Sequence, residues 1–167
     1  PNKEVKQEFI KLTEYQLGLS SGTLDTVTES LAKEDQETFL ESYQEILMVP
    51  SYHDLQKENS YHMMMLGMCL CLSDNYKVIY NREEGKERCD LIIQAHDEKK
   101  TSFIIEFKYF KEDKKDFEKA LDKLSNEAIQ QIKDRRYDYD LKGKVIYIGL
   151  AHRGKDVMMK WEEKVYI

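Results

Sequence analysis

The sequence predicts an α/β domain, a mixed β-sheet flanked by helices, that follows a helical segment. Three observations lead to this fold class. Short β-branched and aromatic runs lie between residues 76 and 110 and again after residue 143, whereas stretches with helical spacing lie before residue 76 and between residues 116 and 139. Hydrophobic residues make up 41% of the 167 residues, which is enough for a packed core. No apolar run approaches the roughly 18 residues of a membrane helix.

Residues 1–49 are predicted to form two or three helices. Apolar side chains recur there at helical spacing in two stretches: Val5, Phe9 and Leu12, and then Phe39, Tyr43, Ile46 and Leu47. A Ser/Gly-rich break from Gly18 to Gly22 separates them, and Pro50 ends the segment. We therefore divide the chain into a helical segment, residues 1–49, and an α/β domain, residues 50–167.

The domain after Pro50 is predicted to follow an α-β-β-β-α-β-β order. Its elements are a helix from Asp54 to about Leu72, strands Tyr76–Arg82, Arg88–Ala95 and Ser102–Phe110, a helix from Asp116 to near Tyr139, and strands Lys144–His152 and Val157–Ile167. The third strand is almost continuously apolar, which is typical of a central strand.

Charge is distributed unevenly along the chain. Residues 1–98 carry 9 Lys and Arg against 19 Asp and Glu, whereas residues 99–167 carry 17 against 13, for a total of −6. The net charge does not by itself indicate a nucleic-acid-binding protein, but the basic half holds the candidate site described next. The three cysteines, Cys69, Cys71 and Cys89, are predicted to be free and buried. With no secretory signal, they favour a cytoplasmic protein.

Glu106 and Lys108 are the first candidates for chemistry. Side chains two residues apart share one face of a strand, so these two project together beside Ile104 and Phe110. A carboxylate and an ammonium group among apolar side chains are costly unless they are paired or solvated in a cleft. One interpretation is a plain Glu–Lys ion pair on the sheet, and the other is a reactive site.

Asp90 favours the reactive site. It lies on the preceding strand, 16 residues before Glu106, and a hairpin can bring both carboxylates to one end of the sheet. Neighbouring carboxylates repel each other, and a cation that prefers oxygen ligands, Mg²⁺ or Mn²⁺, relieves the repulsion. We expect the backbone carbonyl of Phe107 to complete the ligand set. Lys108 would then orient the attacking water or stabilise charge on a phosphate.

Further polar candidates lie on two helices. Glu58, Tyr61 and His62 share one face of the first long helix and are expected to face the site, with an ordinary surface position as the alternative for His62. Gln131 and Tyr137, in the last predicted helix, are candidates for the same cleft, and ordinary surface or packing positions are the alternative there.

Asp90, Glu106 and Lys108 in this order of elements resemble the PD-(D/E)XK nuclease superfamily, whose restriction-endonuclease-like fold has an α-β-β-β-α-β core. More narrowly, the chain is similar to a bacterial family in which such a domain follows an AAA-ATPase-like domain. The stretches that carry the resemblance are Pro1–Val5, Glu58–His62, Gly85–Asp90, Ile105–Lys108, and Ala128–Ile132 followed by Tyr137. Cys89 replaces the proline that names the superfamily, and Glu87 stands where a small residue is common.

The resemblance implies a metal-dependent nuclease with Asp90 and Glu106 as metal ligands. It also implies that Lys108 is the catalytic lysine, Glu58 an auxiliary acid and Gln131 the polar residue of the following helix. An AAA-ATPase-like domain would precede Pro1 in the full-length protein. The remaining polar candidates are assigned to substrate binding: Tyr61, His62, Arg88 and Tyr137.

Two functions follow from these observations. The first is Mg²⁺- or Mn²⁺-dependent hydrolysis of phosphodiester bonds in DNA, with RNA as the second substrate class, by a monomer or a homodimer without any membrane partner. The second is a catalytically silent module of the same fold that binds a protein or a nucleic acid, since a fold does not fix its function. The acidic N-terminal half suits a protein partner better than DNA.

Overall fold

The computed structural model describes residues 2–48, 66–82, 89–110, 116–153 and 155–167, and at residues 81, 82, 89 and 90 it describes the backbone alone. The chain divides into two compact units, Pro1–Asp74 and Asn75–Ile167. The boundary predicted at residues 49 and 50 lies outside the described residues. Among the described helices, none combines the length and the apolar content that crossing a membrane requires.

The first unit is helical, as predicted. Its described residues form α1 (Lys3–Leu17), α2 (Thr23–Ala32) and α3 (Gln36–Met48), and residues 66–72 are also helical. Asn2 caps α1 by accepting a hydrogen bond from the Val5 N–H at 2.9 Å, and Gly18 ends α1 with a φ of 71°. The start of the helix predicted from Asp54 lies outside the described residues.

A buried carboxylate joins α1 to the start of α2. Glu14 is 3% exposed and accepts hydrogen bonds from the backbone N–H groups of Gly22 at 3.2 Å and Leu24 at 3.1 Å. Its negative charge therefore lies at the positive end of the α2 dipole, which stabilises the helix junction. The buried apolar side chains of these three helices are Ile10, Leu17, Leu24, Val27, Leu31, Phe39, Tyr43, Ile46 and Leu47.

The cysteines differ from the prediction in one respect. Cys69 and Cys71 are free, as expected, but both are half-buried at the edge of the helical unit and do not lie in its core. Burial raises the pKa of both thiols, that of Cys71 to about 12, which disfavours the reactive thiolate form. The side chain of Cys89 is not among those described.

In its described residues, the second unit is built on a five-stranded mixed sheet with the strand order β1-β2-β3-β4-β5. The strands are β1 (Tyr76–Arg82), β2 (Cys89–Ala95), β3 (Ser102–Tyr109), β4 (Gly143–Arg153) and β5 (Asp156–Tyr166). Neighbouring strands are antiparallel except β3 and β4, which are parallel because a helix, α4 (Phe117–Arg135), crosses between them. The predicted fold class and the central position of the third strand are confirmed.

The helix α4 packs on one face of this sheet. Its buried residues recur every three to four positions: Leu121, Ser125, Ala128, Ile129 and Ile132. The last two join an apolar cluster with Ile104 on β3 and with Val145 and Tyr147 on β4. This cluster anchors the C-terminal half of α4 to the two parallel strands.

A polar network lies at the edge of the apolar cluster. The Tyr147 hydroxyl donates to the Asp138 carboxylate and lies 2.7 Å from the Tyr166 hydroxyl. Lys164 Nζ lies 3.4 Å from the same carboxylate. Burial and the negative charge of Asp138 raise the pKa of the Tyr147 hydroxyl. The network ties the turn after α4 to β4 and β5.

Gly149 marks the closest approach of α4 to the sheet. A Cβ atom at this position would overlap with the backbone oxygen of Ser125, and the register pairs Gly149 with Glu106. Because Gly149 has no side chain, α4 can lie close to the sheet beside Glu106.

We expect Gly149→Ala to lower the free energy of unfolding by about 3 kcal/mol, because the overlapping atom belongs to the backbone and cannot rotate away. Urea denaturation measures the change. Gly22→Ala is the control, since nothing lies within 4 Å of an added Cβ and only its φ of 88° is unfavourable; we expect about 1 kcal/mol there. A cost at Gly149 no larger than that at Gly22 would contradict the tight contact.

Candidate active site

Five positions line up across the sheet at the level of Glu106. From β1 to β5 the register joins Asn81 to Asp90, Asp90 to Glu106, Glu106 to Gly149 and Gly149 to Lys160. Residues directly opposite each other in an antiparallel pair lie on the same face of the sheet. The backbone of the β2–β3 hairpin therefore places positions 90 and 106 side by side.

Glu106 is a buried carboxylate in an unusual environment. Its exposed fraction is 0%, and no described residue donates a hydrogen bond to either of its carboxylate oxygens. The Lys108 ammonium lies 3.5 Å from Oε1, which is an ion-pair distance without hydrogen-bond geometry. Burial of a charged carboxylate without hydrogen-bond donors is strongly unfavourable, and further positive charge near Glu106 would offset this cost.

Lys108 is held between Glu106 and α4. Its side chain is 13% exposed, and its Nζ donates to Oε1 of Gln131. The amide nitrogen of Gln131, Nε2, is buried and has no acceptor among the described residues. Three of the residues singled out in the sequence thus lie together, and the ammonium group has a defined position.

Tyr137 follows the C-terminal end of α4. It packs against the apolar cluster beneath the helix, and its hydroxyl accepts a hydrogen bond of 2.6 Å from Nη1 of Arg135. Arg135 follows Gln131 by four positions and therefore shares its side of the helix.

Five predicted site residues have no described side chain. Four lie outside the described residues: Glu58, Tyr61, His62 and Arg88. Asp90 is placed by its backbone register alone. Phe107 is 1% exposed and lies between Glu106 and Lys108 on β3. Among the side chains that the structure describes, no three His, Cys, Asp or Glu residues form a group that could hold a metal ion.

The donor chemistry of the described part nevertheless fits a hard divalent cation. Both Glu106 oxygens lack hydrogen-bond donors, and a second carboxylate residue, Asp90, is the register partner of Glu106. Carboxylate and carbonyl oxygens are the ligands that Mg²⁺ and Mn²⁺ prefer. The full ligand set, with Asp90 and the Phe107 carbonyl, stays a prediction.

A family model described as the PD-(D/E)XK nuclease superfamily matches residues 56–162. The chain belongs to the PD-(D/E)XK nuclease superfamily. The matched range contains Asp90, Glu106 and Lys108, so the predicted resemblance is confirmed at the level of the superfamily. Comparison with curated proteins gave no match.

Substitution of Glu106 tests whether this PD-(D/E)XK domain needs a cation beside the buried carboxylate. In metal-free buffer and in a Lys108→Met background, which leaves no ammonium group unpaired, we expect Glu106→Gln to raise the free energy of unfolding by about 2 kcal/mol, because it removes a buried charge and keeps the shape. Wild-type protein should gain about 2.7 kcal/mol from Mn²⁺ at roughly 100 times its dissociation constant, whereas the variant gains almost nothing. Chemical denaturation with and without Mn²⁺ measures both effects.

The matched control is Glu127→Gln. Glu127 is exposed and lies 3.7 Å from Lys123 across one helical turn, so its stability should change by less than about 0.5 kcal/mol. If Glu106→Gln destabilised the metal-free protein in the Lys108→Met background as well, the Glu106 carboxylate would be satisfied by the protein itself and the need for a cation would disappear.

Proposed function

We propose that this superfamily member is a nuclease that hydrolyses phosphodiester bonds of DNA with Mg²⁺ or Mn²⁺. One observation carries the proposal. Glu106 is fully buried, accepts no hydrogen bond from any described residue, is paired in register with Asp90, and lies 3.5 Å from the Lys108 ammonium. Proteins retain such unfavourable arrangements where function requires them, because stability alone selects against them.

Asp90, Glu106 and the backbone carbonyl of Phe107 are the proposed ligands of the ion. When bound, a divalent ion supplies Lewis-acid chemistry, because it lowers the pKa of water and neutralises negative charge on a phosphate. Glu58 is proposed as an auxiliary acid of the same site. Each of these roles uses oxygen donors alone, as Mg²⁺ and Mn²⁺ require.

Lys108 is proposed as the catalytic lysine. Its ammonium group lies beside Glu106 and is fixed from the other side by the Gln131 amide oxygen. A cation held in place before the reaction stabilises the negative charge that develops on the scissile phosphate without the cost of reorienting. Gln131 therefore serves catalysis by fixing Lys108.

The substrate class follows from the superfamily and from charge. Residues 99–167, which carry Glu106 and Lys108, have a net charge of +4, and an excess of positive charge favours a polyanion. DNA is the proposed substrate, and RNA is tested beside it; Tyr61, His62, Arg88 and Tyr137 are the proposed contacts to it. The likeness to the bacterial family described above supports an upstream AAA-ATPase-like domain as part of the same proposal.

We expect Lys108→Ala to lower the cleavage rate at least about 100-fold while Mn²⁺ binding stays within a few-fold of wild type, because Lys108 acts on the reacting groups and not on the ion. Cleavage of single- and double-stranded DNA and of RNA is followed on gels, and Mn²⁺ binding by calorimetry. Lys119→Ala is the control, since Lys119 forms an exposed pair with Asp116 at 3.2 Å; it should cleave as wild type does.

The competing function is a silent module that binds a partner. The charge of −10 in residues 1–98 favours a protein partner for such a module. If wild-type protein bound Mn²⁺ at Glu106 but cut none of the three substrates, the nuclease proposal would be falsified and the binding module would replace it.

A further inference from the structure

A buried histidine lies directly behind the proposed catalytic lysine. His152 on β4 is 1% exposed, and the register pairs it with Tyr109, the residue after Lys108. Its ring nitrogen Nδ1 lies 3.2 Å from the backbone oxygen of Lys108. Because a carbonyl oxygen can only accept, this contact is a hydrogen bond in the tautomer that carries its proton on Nδ1.

Packing holds the imidazole ring of His152 in one orientation. The ring stacks on Tyr109 with centroids 5.1 Å apart and on Phe107 with centroids 6.1 Å apart, at interplanar angles of 22° and 24°. The backbone N–H of Phe110 also donates to the carbonyl of His152 at 2.8 Å. The imidazole therefore has a defined orientation beside the end of β3.

Lys108 is consequently fixed at two points. Gln131 accepts from its ammonium group on the α4 face of the sheet, and His152 contacts its backbone carbonyl from the opposite face. The carbonyl contact adds a side-chain restraint on the peptide plane that follows Lys108 to the backbone pairing of β3 with β4.

We propose that His152 is a positioning residue, which fixes the backbone of Lys108 so that its ammonium group stays beside Glu106. This inference rests on the proposed nuclease function for its catalytic consequence, and on the geometry of β3 and β4 alone for its structural one. His152 touches neither the substrate nor the ion in this account. Its removal should therefore affect turnover more than binding.

The experiment compares His152→Leu, which removes the donor, with His152→Asn, whose amide nitrogen replaces Nδ1. We expect kcat to fall about 10- to 100-fold in His152→Leu, with KM and Mn²⁺ affinity within about threefold of wild type, and His152→Asn to recover most of the loss. His96→Leu, the same change at an exposed histidine that follows β2, is the control and should change kcat less than about threefold. Equal defects in the Leu and Asn variants, or no loss of kcat in His152→Leu, would overturn the inference.

A second readout separates this inference from the nuclease proposal. In protein labelled with ¹³C-lysine, the Lys108 εCH₂ NMR signal, assigned by its loss in Lys108→Ala, should move in His152→Leu and stay in place in His152→Asn. If wild-type protein cleaved nothing, the nuclease proposal would fail, and this signal alone would decide the role of His152. If His152→Leu did not fold, ¹⁵N NMR of the wild-type ring would decide: a proton on Nδ1 supports the inference, and a proton on Nε2 alone overturns it.

Discussion

The burial of the Glu106 carboxylate is the constraint on which the rest of this site depends. A charged carboxylate that is 0% exposed and accepts no hydrogen bond from any described residue is unfavourable unless positive charge compensates it. The Lys108 ammonium at 3.5 Å supplies part of that charge. A divalent ion between Glu106 and Asp90 would supply the remainder, which links the stability of the domain to its proposed chemistry.

Side chains alternate along β3, so the two faces of the sheet carry different groups of residues. Glu106 and Lys108 project towards α4, where Gln131 receives the ammonium group. The residues between and after them, Phe107 and Tyr109, project to the other face and stack on His152. One strand thus presents the proposed reactive groups on one side and anchors its own backbone on the other.

The local sequence pattern predicted the bounds of the strands closely, because short runs of β-branched and aromatic residues favour strands over helices. The first strand has the predicted bounds, Tyr76–Arg82, and the others differ by a residue or two at their ends. The last helix ends at Arg135 and not near Tyr139, because Arg136 adopts a left-handed φ of 51°. An arginine with a positive φ has no signature in sequence, since neighbouring contacts impose it.

Tertiary packing determines which apolar residues of α1 are buried, and sequence spacing alone did not predict them. Val5, Phe9 and Leu12 have helical spacing, and α1 is a helix, but these residues are 55%, 38% and 52% exposed, and Ile10 and Leu17 are buried instead. The sequence analysis singled out Glu106, Lys108 and Gln131 by periodicity and resemblance.

His152 and Gly149 were missed for a different reason. Both resemble ordinary members of an apolar strand, and their roles depend on which atoms lie opposite them. Gly149 faces the backbone of α4, and His152 faces the carbonyl of Lys108. Contacts between strands and helices that are distant in sequence leave no periodic signal.

The central claim is that one divalent ion joins Asp90 to Glu106, and a crystal structure of the protein soaked in Mn²⁺ tests it most directly. The account predicts an anomalous density peak within about 2.3 Å of a carboxylate oxygen from each residue, with the Lys108 ammonium nearby and not bound to the ion. A structure in which Mn²⁺ binds elsewhere, while Glu106 keeps Lys108 as its sole charged partner, would contradict the account.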